Sequence, residues 1–148
     1  MEQSSSIYIA KPQMTDEQYF AVVDSAFADS CSPSIGMSGG EAFLFFERLC
    51  RIVSYATGKG ALVSVNTNGF WGNREARAQG YVATLKRIGL SKLVVSTDGF
   101  HSPYVREQAV INVISACIDH SLEVDLQYVY ATDSSRLHEF AERCGTIW

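Results

Sequence analysis

The chain has 148 residues, 47% of them hydrophobic and 19% charged, with 12 Lys and Arg against 16 Asp and Glu for a net charge of −4. That length suits a single domain able to bury roughly 68–70% of its unfolded surface, and the composition excludes a disordered or fibrous chain. No block of Lys or Arg stands out, which argues against nucleic acid as a partner.

The longest apolar run, Ala42–Phe46, is far too short to enter and cross a membrane, so no membrane partner is expected. The polar start, residues 1–6, does not read as a secretory signal, and a cytoplasmic protein is expected. A brief apolar stretch, Ile7–Ala10, follows. The first helix is predicted over Thr15–Asp29: Thr15 and Gln18 form a capping-box pattern, and Tyr19, Val22, Val23, Ala26 and Phe27 repeat at helical spacing. Pro33 closes the next loop and Ser34–Met37 reads as a short strand. A second helix is predicted over Glu41–Thr57, with Phe45, Leu49, Ile52, Val53 and Ala56 inward and Gly58 and Gly60 as its stop. A strand over Ala61–Asn66, a helix over Asn73–Ile88 ending at Gly89, and a strand over Lys92–Thr97 come next. Ser102 and Pro103 are expected to open a fourth helix carrying Val105, Ala109, Val113, Ala116 and Cys117 on one face. A strand over Leu122–Tyr130 and a helix over Ser134–Arg143 complete the pattern.

Strand starts near 34, 61, 92 and 122 repeat at about 30 residues, the length of one β-α unit. Consecutive units of this kind demand right-handed crossovers and a parallel sheet. Two α/β architectures satisfy that: an open doubly wound sheet, or part of a (β/α) barrel, whose closed form needs about 250 residues. The last strand alternates Leu122, Val124, Leu126 and Tyr128 with Glu123, Asp125 and Gln127, which suits a sheet edge or a barrel wall with a wet interior. The cysteines, Cys31, Cys50, Cys117 and Cys144, are too far apart for a local metal motif and read as small buried hydrophobes.

Ligands bind at the carboxyl ends of strands in both architectures, and the unusual residues of this chain collect there. In Ser38-Gly39-Gly40-Glu41 the glycines permit close backbone approach of a ligand, and Glu41 can accept hydrogen bonds from a ligand ammonium group. The same four residues also read as a capping box before an apolar run, in which Gln at position 41 would be tolerated. Thr67-Asn68-Gly69 reads as a site loop or as an Asn-Gly turn. Ser96 and Asp98, two apart on one strand, form a pair suited to ribose hydroxyls, and His101 follows them as a catalytic or a solvated loop histidine. Tyr130-Ala131-Thr132-Asp133 ends the fourth strand. His120 and His138 receive no role, and no residue is assigned to catalysis.

Taken in order and at one-unit spacing, Ser38-Gly39-Gly40-Glu41, Thr67-Asn68-Gly69 and the strand end at Ser96-Thr97-Asp98 resemble the radical S-adenosylmethionine (SAM) superfamily over roughly residues 8–130. The phrase Ser96–His101 followed by Tyr104-Val105 resembles one branch of it. The resemblance implies a partial or full (β/α) barrel. It implies that Ser38, Gly39, Gly40 and Glu41 hold the methionine amino group of SAM, with Ser96 and Asp98 near the ribose and Thr67, Asn68 and His101 in the same site. The chain departs from the family in four ways. The C-x-x-x-C-x-x-C loop that ligates three irons of a [4Fe–4S] cluster is not found: its place is before Met1 or within residues 1–8, and no cysteine precedes Cys31. The first barrel strand is missing with it. Ala42 follows Glu41 where the family often has proline, and the strands that contact adenine would come after the fourth.

The leading expectation is one domain over residues 1–148, a partial (β/α) barrel arc of about four parallel strands that resembles the central part of a radical SAM barrel. It would bind SAM, with the cluster and the 5′-deoxyadenosyl radical chemistry confined to the intact family member. The alternatives are a non-catalytic α/β interaction domain that kept the fold, and an unrelated doubly wound small-molecule binder. Open sheet edges lead to an expectation of self-association.

Overall fold

A computed structural model describes residues 14–29, 31–98, 105–129 and 142. The stretch Ile7–Ala10, the cap at Ser102 and Pro103, the loop 130–133, the last helix with Glu142 excepted, His101, His138 and Cys144 lie outside them.

The described elements run in the order α1 (Asp16–Asp29), β1 (Ser34–Met37), a 3-10 turn (Ala42–Phe45), α2 (Phe46–Gly58), β2 (Leu62–Thr67), a second 3-10 turn (Phe70–Asn73), α3 (Glu75–Arg87), β3 (Lys92–Asp98), α4 (Glu107–Asp119) and β4 (Glu123–Val129). The four strands form one sheet in the order β1-β2-β3-β4, every pair parallel. Sequential order without reversal is the arrangement of an open arc of a (β/α) barrel, as the period of about 30 residues requires.

Register sorts the strand residues into two faces. Met37, Val65, Leu93 and Val124 form one row, and Thr67, Val95 and Leu126 the next. Val63, Val65, Leu93 and Val95 are fully buried beneath Leu49, Val53 and Ala56 of α2, Ala78, Val82 and Leu85 of α3, and Val110, Val113 and Cys117 of α4. Each helix packs on the next along the chain. The opposite face carries Gly36, Ser64, Asn66, Val94, Ser96 and Gln127, all exposed or half-buried. There Lys92 bridges Glu123 at 2.8 Å and Asp125 at 3.0 Å. The alternation read from Leu122–Gln127 is therefore the signature of a sheet that the described helices cover on one side.

The capping box of α1 is formed as expected: Thr15 N–H donates to Gln18 Oε1 at 2.8 Å and Gln18 N–H to Thr15 Oγ1 at 3.3 Å. Three expectations are corrected. Phe45 is 49% exposed and Phe43 takes the inward position. The reason is the turn at Ala42–Phe45, which winds three residues per turn and moves the inward face before α2 begins. Val22 is 57% exposed, and of the α1 stripe Val23 alone is fully buried among the described residues. Finally, α4 starts at Glu107: Arg106 is extended (φ −67°, ψ 134°) and its carbonyl accepts from Ala109 N–H at 2.9 Å, so the helix opens four residues past Pro103. Cys117 is buried and Cys50 half-buried, whereas Cys31 is exposed.

Candidate functional site

The carboxyl ends of β1, β2 and β3 lie side by side, as the sequential parallel order dictates. After β1 the chain turns through Ser38, Gly39 and Gly40. Gly39 (φ +99°) and Gly40 (φ +56°) both lie in the left-handed region, and a Cβ on either would meet nothing within 4 Å. The glycines therefore serve backbone conformation and leave open space beside it. Ser38, Gly39 and Gly40 are exposed.

Glu41 is half-buried and is itself the cap of the turn that follows. Its Oε1 accepts from Phe43 N–H at 3.2 Å and from the Thr67 hydroxyl at 2.8 Å, and its Oε2 accepts from Asn68 N–H at 2.9 Å. The carboxylate at the end of β1 thus bonds to the end of β2, 26 residues on. The expected capping box from Ser38 is corrected: Glu41 caps with its own side chain, because the helix axis is entered one turn later than that pattern assumes.

Thr67 is 3% exposed, the one buried polar side chain among the described residues. Its Oγ1 accepts from Trp71 Nε1–H at 2.9 Å and from Gly69 N–H at 3.1 Å while donating to Glu41. Asn68 Oδ1 accepts from Phe70 N–H at 3.0 Å, so Thr67-Asn68-Gly69 forms the turn and also joins Glu41. Ser96 Oγ donates to the Thr67 carbonyl at 3.3 Å and ties β3 to the same point. Asp98 closes β3 in register with Val129.

Glu41, Thr67, Asn68 and Ser96 are brought together; Ser38, Gly39 and Gly40 border them by chain connectivity. Trp71 is the participant that pattern reading missed. It is 1% exposed, and its ring stacks on Phe43 at 4.3 Å with an interplanar angle of 9°. Phe46 and Tyr81 extend the stack, 3.6 Å apart. The available signal was an aromatic two residues after Glu41 and another four residues after Thr67. Close packing behind Trp71 depends on Gly72, where a Cβ would stand 2.2 Å from the Ala109 carbonyl oxygen. Asn112 Nδ2 donates to the Gly72 carbonyl at 2.9 Å and anchors the turn to α4.

Among the described residues no three His, Cys, Asp or Glu side chains converge to hold a metal ion, and no helix is long and apolar enough to cross a membrane.

No family model matches the chain. A curated protein of Bacillus subtilis (strain 168), "Putative peptide biosynthesis protein YydG", is 24% identical over 118 residues. The match takes in 76% of this chain and 36% of that protein, so the chain spans little more than a third of its relative. At that identity the match marks a distant relative.

Proposed function

We propose that the chain is the SAM-binding portion of a radical SAM enzyme, with Glu41 receiving the methionine ammonium group of the cofactor. The observation that carries this reading is the Glu41 carboxylate, held at the strand-end rim by donors from two loops. An ionised carboxylate offers about four acceptor positions. Among the described residues three are used, by Phe43 N–H, Thr67 Oγ–H and Asn68 N–H, which leaves one on Oε2 for a ligand donor. The open space beside Gly39 and Gly40 supplies room for the ligand's backbone-like methionine end. Ser96 and Asp98 at the end of β3 are assigned to the ribose.

These residues fit SAM. They do not fit a [4Fe–4S] cluster, whose ligands are cysteine thiolates delivered together. Among the described residues Cys31 lies in the loop after α1, Cys50 on α2 and Cys117 buried in α4, on three separate segments of the chain. Reductive cleavage of SAM to a 5′-deoxyadenosyl radical belongs, in this reading, to the intact enzyme. The resemblance to a peptide biosynthesis protein favours a peptide as the substrate of that enzyme.

The second reading, a non-catalytic interaction domain, is favoured by one observation: the Glu41 carboxylate is already well bonded within the chain. Equilibrium dialysis of the purified chain against labelled SAM separates the two. Saturable binding at one site per chain supports the cofactor reading, and no binding up to millimolar SAM would leave the interaction domain.

A further inference from the structure

We propose that Thr67, itself oriented by the Trp71 indole, is the positioning residue that aims the Glu41 carboxylate at a ligand ammonium group. This rests on the cofactor reading above and adds to it the two residues on which the binding carboxylate depends.

The polarity of the Thr67 hydroxyl is forced. A hydroxyl has one hydrogen to give and two acceptor positions. Trp71 Nε1–H and Gly69 N–H fill both acceptor positions, so the hydrogen goes to Glu41 Oε1. Were the indole N–H absent, the hydroxyl would be free to turn and receive other donors.

The contacts also close on themselves. Phe43 N–H bonds Glu41 Oε1, the Phe43 ring lies on Trp71, Trp71 bonds Thr67, and Thr67 bonds Glu41. Trp71 and Thr67 are 1% and 3% exposed, so little water competes inside this circuit. Glu41 itself is half-buried. A carboxylate whose other three positions are occupied by fixed donors meets a ligand ammonium without first being ordered, and that preorganisation strengthens binding.

The test uses the whole chain, ¹⁵N-labelled, with the indole N–H resonance of Trp71 as reporter. The chain has two tryptophans, and Trp71→Phe identifies the signal by its loss. In the ligand-free protein, Glu41→Gln should move the Trp71 indole resonance. Thr67→Val should accelerate its hydrogen exchange, while Thr67→Ser, which keeps the hydroxyl, should leave it protected. Calorimetric titration with SAM should show Thr67→Val weakened roughly tenfold or more, from loss of a hydrogen bond to a charged group. Thr67→Ser should stay within about twofold, and Trp71→Phe should fall between them. Thermal melts verify that each variant is folded. If SAM binds wild type and Thr67→Val equally, or if Glu41→Gln leaves the indole signal unmoved, the positioning role is overturned. If the indole signal responds as stated but wild type binds no SAM, the circuit stands and the cofactor reading fails.

Discussion

Thr67 donates its only hydroxyl hydrogen to Glu41 Oε1 at 2.8 Å, joining the ends of two neighbouring parallel strands through side chains. The glutamate that resembles a cofactor ligand is therefore also a structural tie. This revises the expectation that Gln would be neutral at position 41. A carboxamide has one acceptor oxygen and a donor NH₂, so it cannot accept from Phe43, Thr67 and Asn68 from both ends. Glu41→Gln should cost about 1–2 kcal/mol, measured by denaturant unfolding at neutral pH. A loss below a few tenths would mean that these bonds contribute little.

Gly72 and Gly80 make an opposed pair. A Cβ at Gly72 would fall 2.2 Å from the Ala109 carbonyl oxygen and 2.7 Å from Val113 Cγ2. Gly72→Ala should therefore destabilise by about 2 kcal/mol or more, by pushing the turn off α4. Gly80 is exposed in the middle of α3 with nothing within 4 Å of the added methyl. Gly80→Ala should stabilise by about 0.5–1 kcal/mol. Thermal unfolding of the two variants side by side checks the signs.

The docking of α1 on α2 should weaken in acid. The Arg51 guanidinium, bonded at 2.7 Å and aided by Arg48, holds the Asp16 carboxyl below the usual aspartate range. Lys59, and then the Tyr55 hydroxyl, do the same for Asp24. A lowered folded-state value gives a contribution that is complete above the unfolded aspartate value of about 3.9 and is lost as the pH falls through the lowered values. Asp24, Arg51 and Lys59 are exposed and Asp16, Arg48 and Tyr55 only half-buried, so the effect is small and is screened by salt. Amide hydrogen exchange in α1, compared between pH 5 and 3 at low ionic strength, should accelerate relative to β2 and β3. Asp16→Asn should remove part of that acid response.

Much of the frame was legible because it is periodic. The β-α spacing determined strand order, and the Thr15 and Gln18 pair determined where α1 starts. The site was half legible. Glu41, Thr67 and Ser96 are typical strand-end residues, but nothing in their spacing says that Thr67 is buried and bonds Glu41. Phe43 and Trp71 were missed because their stacking is a contact between two 3-10 turns, each wound too tightly for a helical-period reading. Phe45 was misplaced for the same reason. The start of α4 was misjudged because Ser102-Pro103 is a favourable opening that Arg106, in its extended conformation, supersedes.

Thiol alkylation should rank the described cysteines by burial. Cys31 is exposed, Cys50 is half-buried with its thiol pushed up by burial, and burial pushes the Cys117 thiol up to about 12. The thiolate is the reactive form. Iodoacetamide at pH 8 should label Cys31 first and Cys117 only after unfolding, as read by peptide mass spectrometry. Early labelling of Cys117 would contradict the packing of α4.

The central claim is that Glu41 receives the ammonium group of SAM. Its most direct test is a calorimetric comparison of SAM with an analogue lacking the amino group, on wild type and on Glu41→Gln. Altering the ligand leaves the protein fold untouched, so lost stability cannot imitate lost recognition. A charge-assisted hydrogen bond gives wild type a preference for SAM of roughly tenfold or more, and Glu41→Gln should abolish that preference while still binding the rest of the molecule. Equal affinity of wild type for SAM and the deaminated analogue would contradict the account.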